Sequence, residues 1–185
     1  MTTIEKVKIE DAEELLEIYG PYVKNTAVSF EYEVPSTEEF KKRIENISAK
    51  YPYIKAVTDS KIVGYAYAGT FKDRKAYDWS VETTVYVRED CKRNGIGKML
   101  YDALEKSLAG MGVRNLNACI ASPSKEDAHL NDDSCRFHEA MGYSLVGRFH
   151  NSGYKFGCWY DMIWMEKIIG SSEEPTEVKF GEWDI

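Results

Sequence analysis

The sequence predicts a mixed α/β (α+β) fold in one domain, with a mostly antiparallel sheet flanked and interrupted by helices. Two helical patterns come early in the chain. Strand-like runs then follow one another across turn residues, as in hairpins. In mid-chain one strand-like run passes through a glycine-containing loop straight into an amphipathic helix. The 185 residues suit one domain with a sizeable core, taken as residues 1–169, followed by an acidic tail at 170–185.

The elements are expected in this order. "IEKVKIE" alternates apolar and charged residues and reads as a first strand. Asp11 with Glu14 resembles a capping box, and Leu15, Leu16, Ile18 and Tyr19 then form a helical stripe up to Gly20-Pro21. "VPSTEEFKKRIENI" is a second helix with Ser36 or Thr37 as N-cap and Phe40, Ile44 and Ile47 on one face. "YPYIKAV", the turn "TDSK" and "IVGYAYAGTF" read as a hairpin, and "FKDRKAYD" as a charged loop. "WSVETTVYV" is the next strand. The helix after "KRNGIG" turns Met99, Leu100, Ala103, Leu104 and Leu108 to the core and ends at Gly110 or Gly112. "VRNLNACIA" is a strand, "DDSCRFHEAMGY" a short helix, and the segment 144–168 holds two late strands. The tail contains Gly, Ser and Pro but also Val178, Phe180, Trp183 and Ile185, so it is either disordered or docked.

Hydrophobic residues make up 43% and charged residues 30%, which argues against disorder of the body. A net charge of −7 gives no electrostatic footprint for nucleic acid or an anionic membrane, so a phosphate-bearing ligand needs a local site. Cys91, Cys119, Cys135 and Cys158 are scattered, with no spacing for zinc or redox chemistry. They are expected as reduced thiols of a cytoplasmic protein. The N-terminus has no apolar leader, and the longest weakly polar run is half of the about 20 residues a membrane span needs.

The loop Lys92-Arg93-Asn94-Gly95-Ile96-Gly97, with Lys98 after it, joins a strand to a helix. Glycines let backbone N–H groups approach a ligand, and a helix start favours a pyrophosphate. A Rossmann fingerprint fails because Leu100 stands at the third glycine position, and a Walker A loop fails because Met99 follows Gly97-Lys98. The loop also resembles the R/Q-x-x-G-x-G/A loop of the GNAT acetyltransferases, which binds coenzyme A, with Lys92 in place of Gln or Arg; an ordinary glycine turn is the competing reading of the loop by itself.

Two further segments favour that family. "NDDSCRFHEAMGY" matches the GNAT stretch N-x-x-A/S-x-x-x-Y-x-x-x-G-F/Y through Asn131, Ser134, Gly142 and Tyr143, with His138 at the tyrosine position. "FKDRKAYDWSVETTVYV" resembles the branch of phosphinothricin and methionine sulfoximine acetyltransferases, as do the histidine and "GYKFGCW". The resemblance covers residues 4 to 169. "SKEDAHL" before Asn131 looks like a short insertion.

The resemblance implies acetyl-CoA as co-substrate without a metal, a small amino-acid-like amine as acceptor, and a homodimer. It implies cofactor contacts from Val85, Tyr86 and Val87 backbone, the 92–98 loop, Asn131 and Ser134. Acetyl transfer to an amine needs a proton acceptor, and Glu82 is the candidate, because strand alternation sets Ser80, Glu82, Thr84 and Tyr86 on the face opposite Val81, Thr83, Val85 and Val87. The competing reading is a structural carboxylate paired with Arg74 or Lys72. His138 or Tyr101 is expected to protonate the departing thiolate, with a structural histidine as the alternative. Lys72, Arg74, Tyr77, Thr84 and Lys155 are expected substrate contacts, with Phe30 as a wall. Attack is expected to be direct, since no cysteine is placed as a carrier. Rival acceptors are a polyamine, an aminoglycoside or a protein N-terminus. A non-catalytic acetyl-CoA sensor is the rival of a different class.

Overall fold

The computed structural model describes residues 1–125, 127–171 and 173–185; Glu126, within the expected insertion, and Ser172, within the tail, lie outside the described residues. The alternating N-terminal segment becomes β1 (Thr2–Lys6). Helices α1 (Ala12–Asn25) and α2 (Thr37–Ser48) follow. The hairpin forms β2 (Tyr53–Thr58) and β3 (Lys61–Thr70). Asp59 and Ser60 both have φ near +55°, at 50 and 62, as a two-residue hairpin turn requires. Then come β4 (Ser80–Val87), α3 (Ile96–Met111), β5 (Asn115–Ser122), α4 (Asp133–Ala140), β6 (Ser144–Lys155) and β7 (Cys158–Ile168).

The strands make one seven-stranded sheet in the order β1-β2-β3-β4-β5-β7-β6. Its neighbours are antiparallel except β4 and β5. On one face α1 and α2 press Leu15, Ile18, Val23, Phe40 and Ile44 onto Tyr53, Ile62 and Tyr65. On the other, α3 buries Leu100, Leu104 and Leu108 against Ile54, Ala56, Ala66 and Val81. Period-2 alternation along β2 and β3 feeds both cores at once. None of the described helices is long and apolar enough to cross a membrane.

Three expectations need correction, and one open alternative is decided. Helix α1 does not stop at Gly20-Pro21 but runs through Pro21 to Asn25. Pro21 and Glu17, whose carbonyl loses its helical partner, are both exposed, so water can satisfy that carbonyl while the buried face continues through Val23. Asp11 does not form a box with Glu14. Its carboxylate accepts from Lys8 N (2.7 Å) and pairs with the buried Lys55 Nζ (2.7 Å), while Glu14 accepts from Ile62 N. Met99 is 38% exposed; Tyr101, fully buried, takes the core place next to Leu100. For the tail, the docked alternative holds from Thr176 onward. Val178 is 5% exposed within the α3-side core, Lys179 N donates to Met111 O (2.9 Å), and Trp79 Nε1 donates to Thr176 O (2.7 Å). Lys6 Nζ sits 4.3 Å from the Trp183 ring.

Candidate active site

The site begins as a fork in the sheet. The parallel pairing of β4 with β5 ends at Glu82 opposite Asn117. Beyond that point β4 stays with β3 as far as Val87, and β5 stays with β7 as far as Ser122. Arg88 N donates to Val63 O (2.9 Å), which fixes the parity of the β3–β4 ladder. Even-numbered Glu82, Thr84 and Tyr86 turn their N–H and C=O groups to β3, whereas Thr83, Val85 and Val87 turn theirs toward the fork. The Val87 carbonyl accepts from the Tyr22 hydroxyl (2.7 Å). Tyr86 therefore differs from the expectation: its backbone faces Tyr65, and its ring packs among Tyr19, Tyr22 and Tyr65.

A cavity of about 240 Å3 lies in the fork, lined by Glu82, Thr84, Val85, Cys119, Ser134 and His138 with Val28, Tyr67 and Tyr101 around them. Among the described residues the Glu82 side chain has no hydrogen bond or ion pair. Burial raises its carboxyl above the usual range, and the positive charge of Lys72 offsets part of that. The pairing of Glu82 with Arg74 is not formed. Arg74 is exposed, and its backbone shapes the turn by accepting from Tyr77 N and donating to Lys72 O. Lys72 Nζ stands 5.1 Å from the Phe71 ring and 5.8 Å from the Trp164 ring. Tyr77 meets Phe71 edge-on at 5.9 Å. Burial pushes the Tyr67 phenol up to about 12, and its cross-strand neighbour Thr84 offsets part of that. Burial and the charge of Glu82 push the Cys119 thiol up to about 11.

His138 is 4% exposed and held from both sides. Its Nδ1 lies 2.7 Å from the Ser134 carbonyl, which can only accept, so the ring proton is assigned to Nδ1. Burial lowers the imidazole pKa, and the neutral ring then offers Nε2 as acceptor to the Tyr101 hydroxyl at 3.0 Å. Burial holds Tyr101 well above the ordinary phenol range. Its oxygen also lies 3.3 Å from Thr83 Oγ1, which is 3.2 Å from the Tyr143 hydroxyl and 3.3 Å from Asn117 O. The histidine and the tyrosine are thus one hydrogen-bonded pair rather than two rivals.

At the open end, the loop has Arg93 at φ 64 and Gly95 at φ 79, so the chain makes a tight left-handed turn into α3. The first helical bond is Met99 N to Gly95 O (3.0 Å), and the N–H groups of Ile96, Gly97 and Lys98 lead the helix. Ile96 is buried and Asn94 exposed. Lys92 Nζ lies 4.7 Å over the Tyr22 ring, and Arg93 is 3.7 Å from Asp133. Lys98 is tied to Asp102 at 2.5 Å. Asn131 accepts from Asp133 N (3.0 Å) and so helps to start α4. Fork, loop and helix start form a continuous run of backbone donors suited to an extended ligand ending in a pyrophosphate.

Lys155, expected as a substrate contact, is 4% exposed and turned to backbone carbonyls. Its three N–H donors go to the carbonyls of Val23 (2.7 Å), Thr26 (2.8 Å) and Ser29 (2.6 Å). Phe30 is half-buried against Ala27, Leu130 and Tyr160. Sequence reasoning missed Val28, Tyr67, Thr83 and Cys119, which line the cavity. A threonine among the inward valines of β4 was the one available signal, for Thr83.

The family model described as acetyltransferase (GNAT) domain matches residues 4–164. The chain belongs to the GNAT acetyltransferases. Among its GNAT relatives, the phosphinothricin N-acetyltransferase of Streptomyces viridochromogenes is 34% identical over 91% of this chain and 88% of its own. The L-methionine sulfoximine/L-methionine sulfone acetyltransferase of Pseudomonas aeruginosa is 28% identical over 89% of this chain and 92% of its own. A phosphinothricin acetyltransferase of Sinorhizobium meliloti, solved in complex with acetyl-CoA, superposes with a TM-score of 0.86 at 30% identity, covering 95% of this chain and 94% of its own.

Proposed function

We propose that this GNAT enzyme transfers the acetyl group of acetyl-CoA to the α-amine of a small amino-acid-like acceptor of the phosphinothricin, methionine sulfoximine or methionine sulfone type. The names of its relatives support the acceptor class. The observation that carries the chemistry is Glu82: a carboxylate with raised basicity, unpaired among the described residues and facing the cavity.

In this reading the donor lies along the fork. The 92–98 loop holds its pyrophosphate, the backbone of Val85 and Val87 and the side chain of Asn131 align the arm, and the Val85 N–H polarises the acetyl carbonyl. Glu82 takes the ammonium proton, directly or through water. Attack is direct: Cys119, with its thiol near 11, stays protonated at neutral pH and is a poor acyl carrier. At rest the Tyr101 proton points to His138 Nε2. As the tetrahedral intermediate collapses and the C–S bond breaks, the phenol turns its proton from Nε2 to the leaving sulfur, and the second proton lost by the amine nitrogen restores the phenol. Lys72 and Arg74, on the loop above Glu82, supply positive charge for an anionic acceptor, which disfavours polyamines and aminoglycosides. The exposed edge strand β6, with Leu145, Val146 and Phe149, supports a homodimer.

The test is a thiol-release assay with acetyl-CoA against methionine sulfone, methionine sulfoximine, phosphinothricin and the common amino acids. Turnover of the first three above the rest is the expected result. Tight acetyl-CoA binding with no acceptor acetylated overturns the reading in favour of a sensor.

A further inference from the structure

The β6–β7 hairpin is fastened to the segment that follows α1, and the fastening is Lys155. This last residue of β6 is 4% exposed. Its ammonium donates to the carbonyls of Val23, Thr26 and Ser29 at 2.6 to 2.8 Å. Val23 belongs to the last turn of α1, whose carbonyls have no helical partner, so a cation there also meets the negative end of the helix. The Tyr32 hydroxyl donates to the Tyr154 carbonyl. The Phe30 ring lies so close to Gly153 that a Cβ there would fall 2.4 Å from ring atoms. The loop before α4 joins in: Ala27 N donates to His129 O (3.0 Å), His129 Nδ1 donates to Asn25 O (2.9 Å), and its ring stacks on Phe156 at 3.9 Å. Val28, between Thr26 and Ser29, two of the three residues whose carbonyls Lys155 holds, lines the cavity that Glu82 faces.

We propose that Lys155 is a positioning residue that sets the amine-side wall of the cleft through the loop carrying Val28, without touching the acceptor. The three carbonyls use up its donors, so it has none left for a substrate carboxylate. Among the described residues its hydrogen bonds reach neither the 92–98 loop nor the β4 backbone, and the donor side is met only one step away, where Tyr22, beside Val23, donates to Val87 O (2.7 Å). This rests on the acceptor reading above.

The test compares wild type, Lys155→Met and Gly153→Ala with an accepted amino acid, the carboxamide of that amino acid, and acetyl-CoA. In Lys155→Met the KM for both acceptors rises tenfold or more by the same factor, and the KM for acetyl-CoA stays within twofold. Gly153→Ala, which displaces Phe30 and leaves the lysine in place, shifts the acceptor KM the same way by threefold or more and decides the matter if Lys155→Met does not fold. A loss confined to the carboxylate-bearing acceptor overturns the proposal, as does an equal rise for acetyl-CoA. Amide hydrogen exchange at residues 27–31 serves as a readout that needs no acceptor. It should quicken tenfold in Lys155→Met, and unchanged rates there also overturn the proposal. An acceptor panel that fails in wild type sinks the proposed function without touching this readout.

Discussion

A carboxylate in the middle of a β-branched strand is tolerable only with a partner, water or a task. Glu82 has no partner among the described residues, and burial raises its pKa. A base works when deprotonated, so kcat/KM should climb with pH through a value above the ordinary 4.5 of glutamate and level off beyond it. Glu82→Gln should fold and bind acetyl-CoA yet lose about a hundredfold or more in turnover, and its pH profile should lose that acid limb. Full activity near pH 7 in the variant would remove Glu82 from the mechanism. Tyr101→Phe tests the other proton. It keeps the buried ring but removes the hydroxyl 3.0 Å from His138, so kcat should fall with little change in either KM. That Glu82 lies on the face of β4 opposite the valines was readable from strand alternation alone. The pairing of Tyr101 with His138 was not, because 37 residues separate them and only the packing of α3 against α4 brings them together. The surroundings of Lys155 were unreadable for a similar reason. A lysine in a matching motif reads as an anion contact, and nothing local shows three carbonyls of a distant loop converging on it.

Strand β6 is the element whose shape depends most on one side chain. Its ladder with β7 slips between Phe149 and Gly153. Asp161 on β7 holds that irregularity, accepting from Asn151 N (2.9 Å), Arg148 (2.9 Å) and His150 Nδ1 (3.3 Å). The Asn151 backbone bond comes first among the groups that hold its pKa below the ordinary 3.8. A depressed folded value means that this stabilisation is present above the unfolded pKa and disappears as pH falls through the still lower folded one. Asp161→Ala should cost about 1–3 kcal/mol at neutral pH, read as a lowered urea midpoint, and the gap to wild type should close in acid. An undiminished gap at pH 2 would deny the carboxylate this role. Element order was legible because turn residues and periodicity punctuate the chain. The end of α1 was not, since a proline on a solvent-facing turn breaks one bond without ending the buried stripe.

For the whole molecule, charge and composition pointed to local ligand binding on an acidic body, but left the tail ambiguous. Its apolar residues decide in favour of docking: Val178, Phe180 and Trp183 join the α3-side core. Removing residues 176–185 should cost about 3 kcal/mol or more in stability, since two aromatic side chains and a valine return to water. An unchanged melting temperature would contradict that. The fork between β4 and β5 has a consequence that extends this picture. Two strands of one sheet part, and the edge of β4 that faces the fork is left with peptide groups that β5 does not pair. A donor bound there would act as a short surrogate strand, completing the sheet from outside the chain. The Val85 amide should therefore exchange quickly with solvent deuterium in the free protein and slowly with acetyl-CoA bound. The neighbouring Tyr86 amide, already paired to β3, should be slow in both.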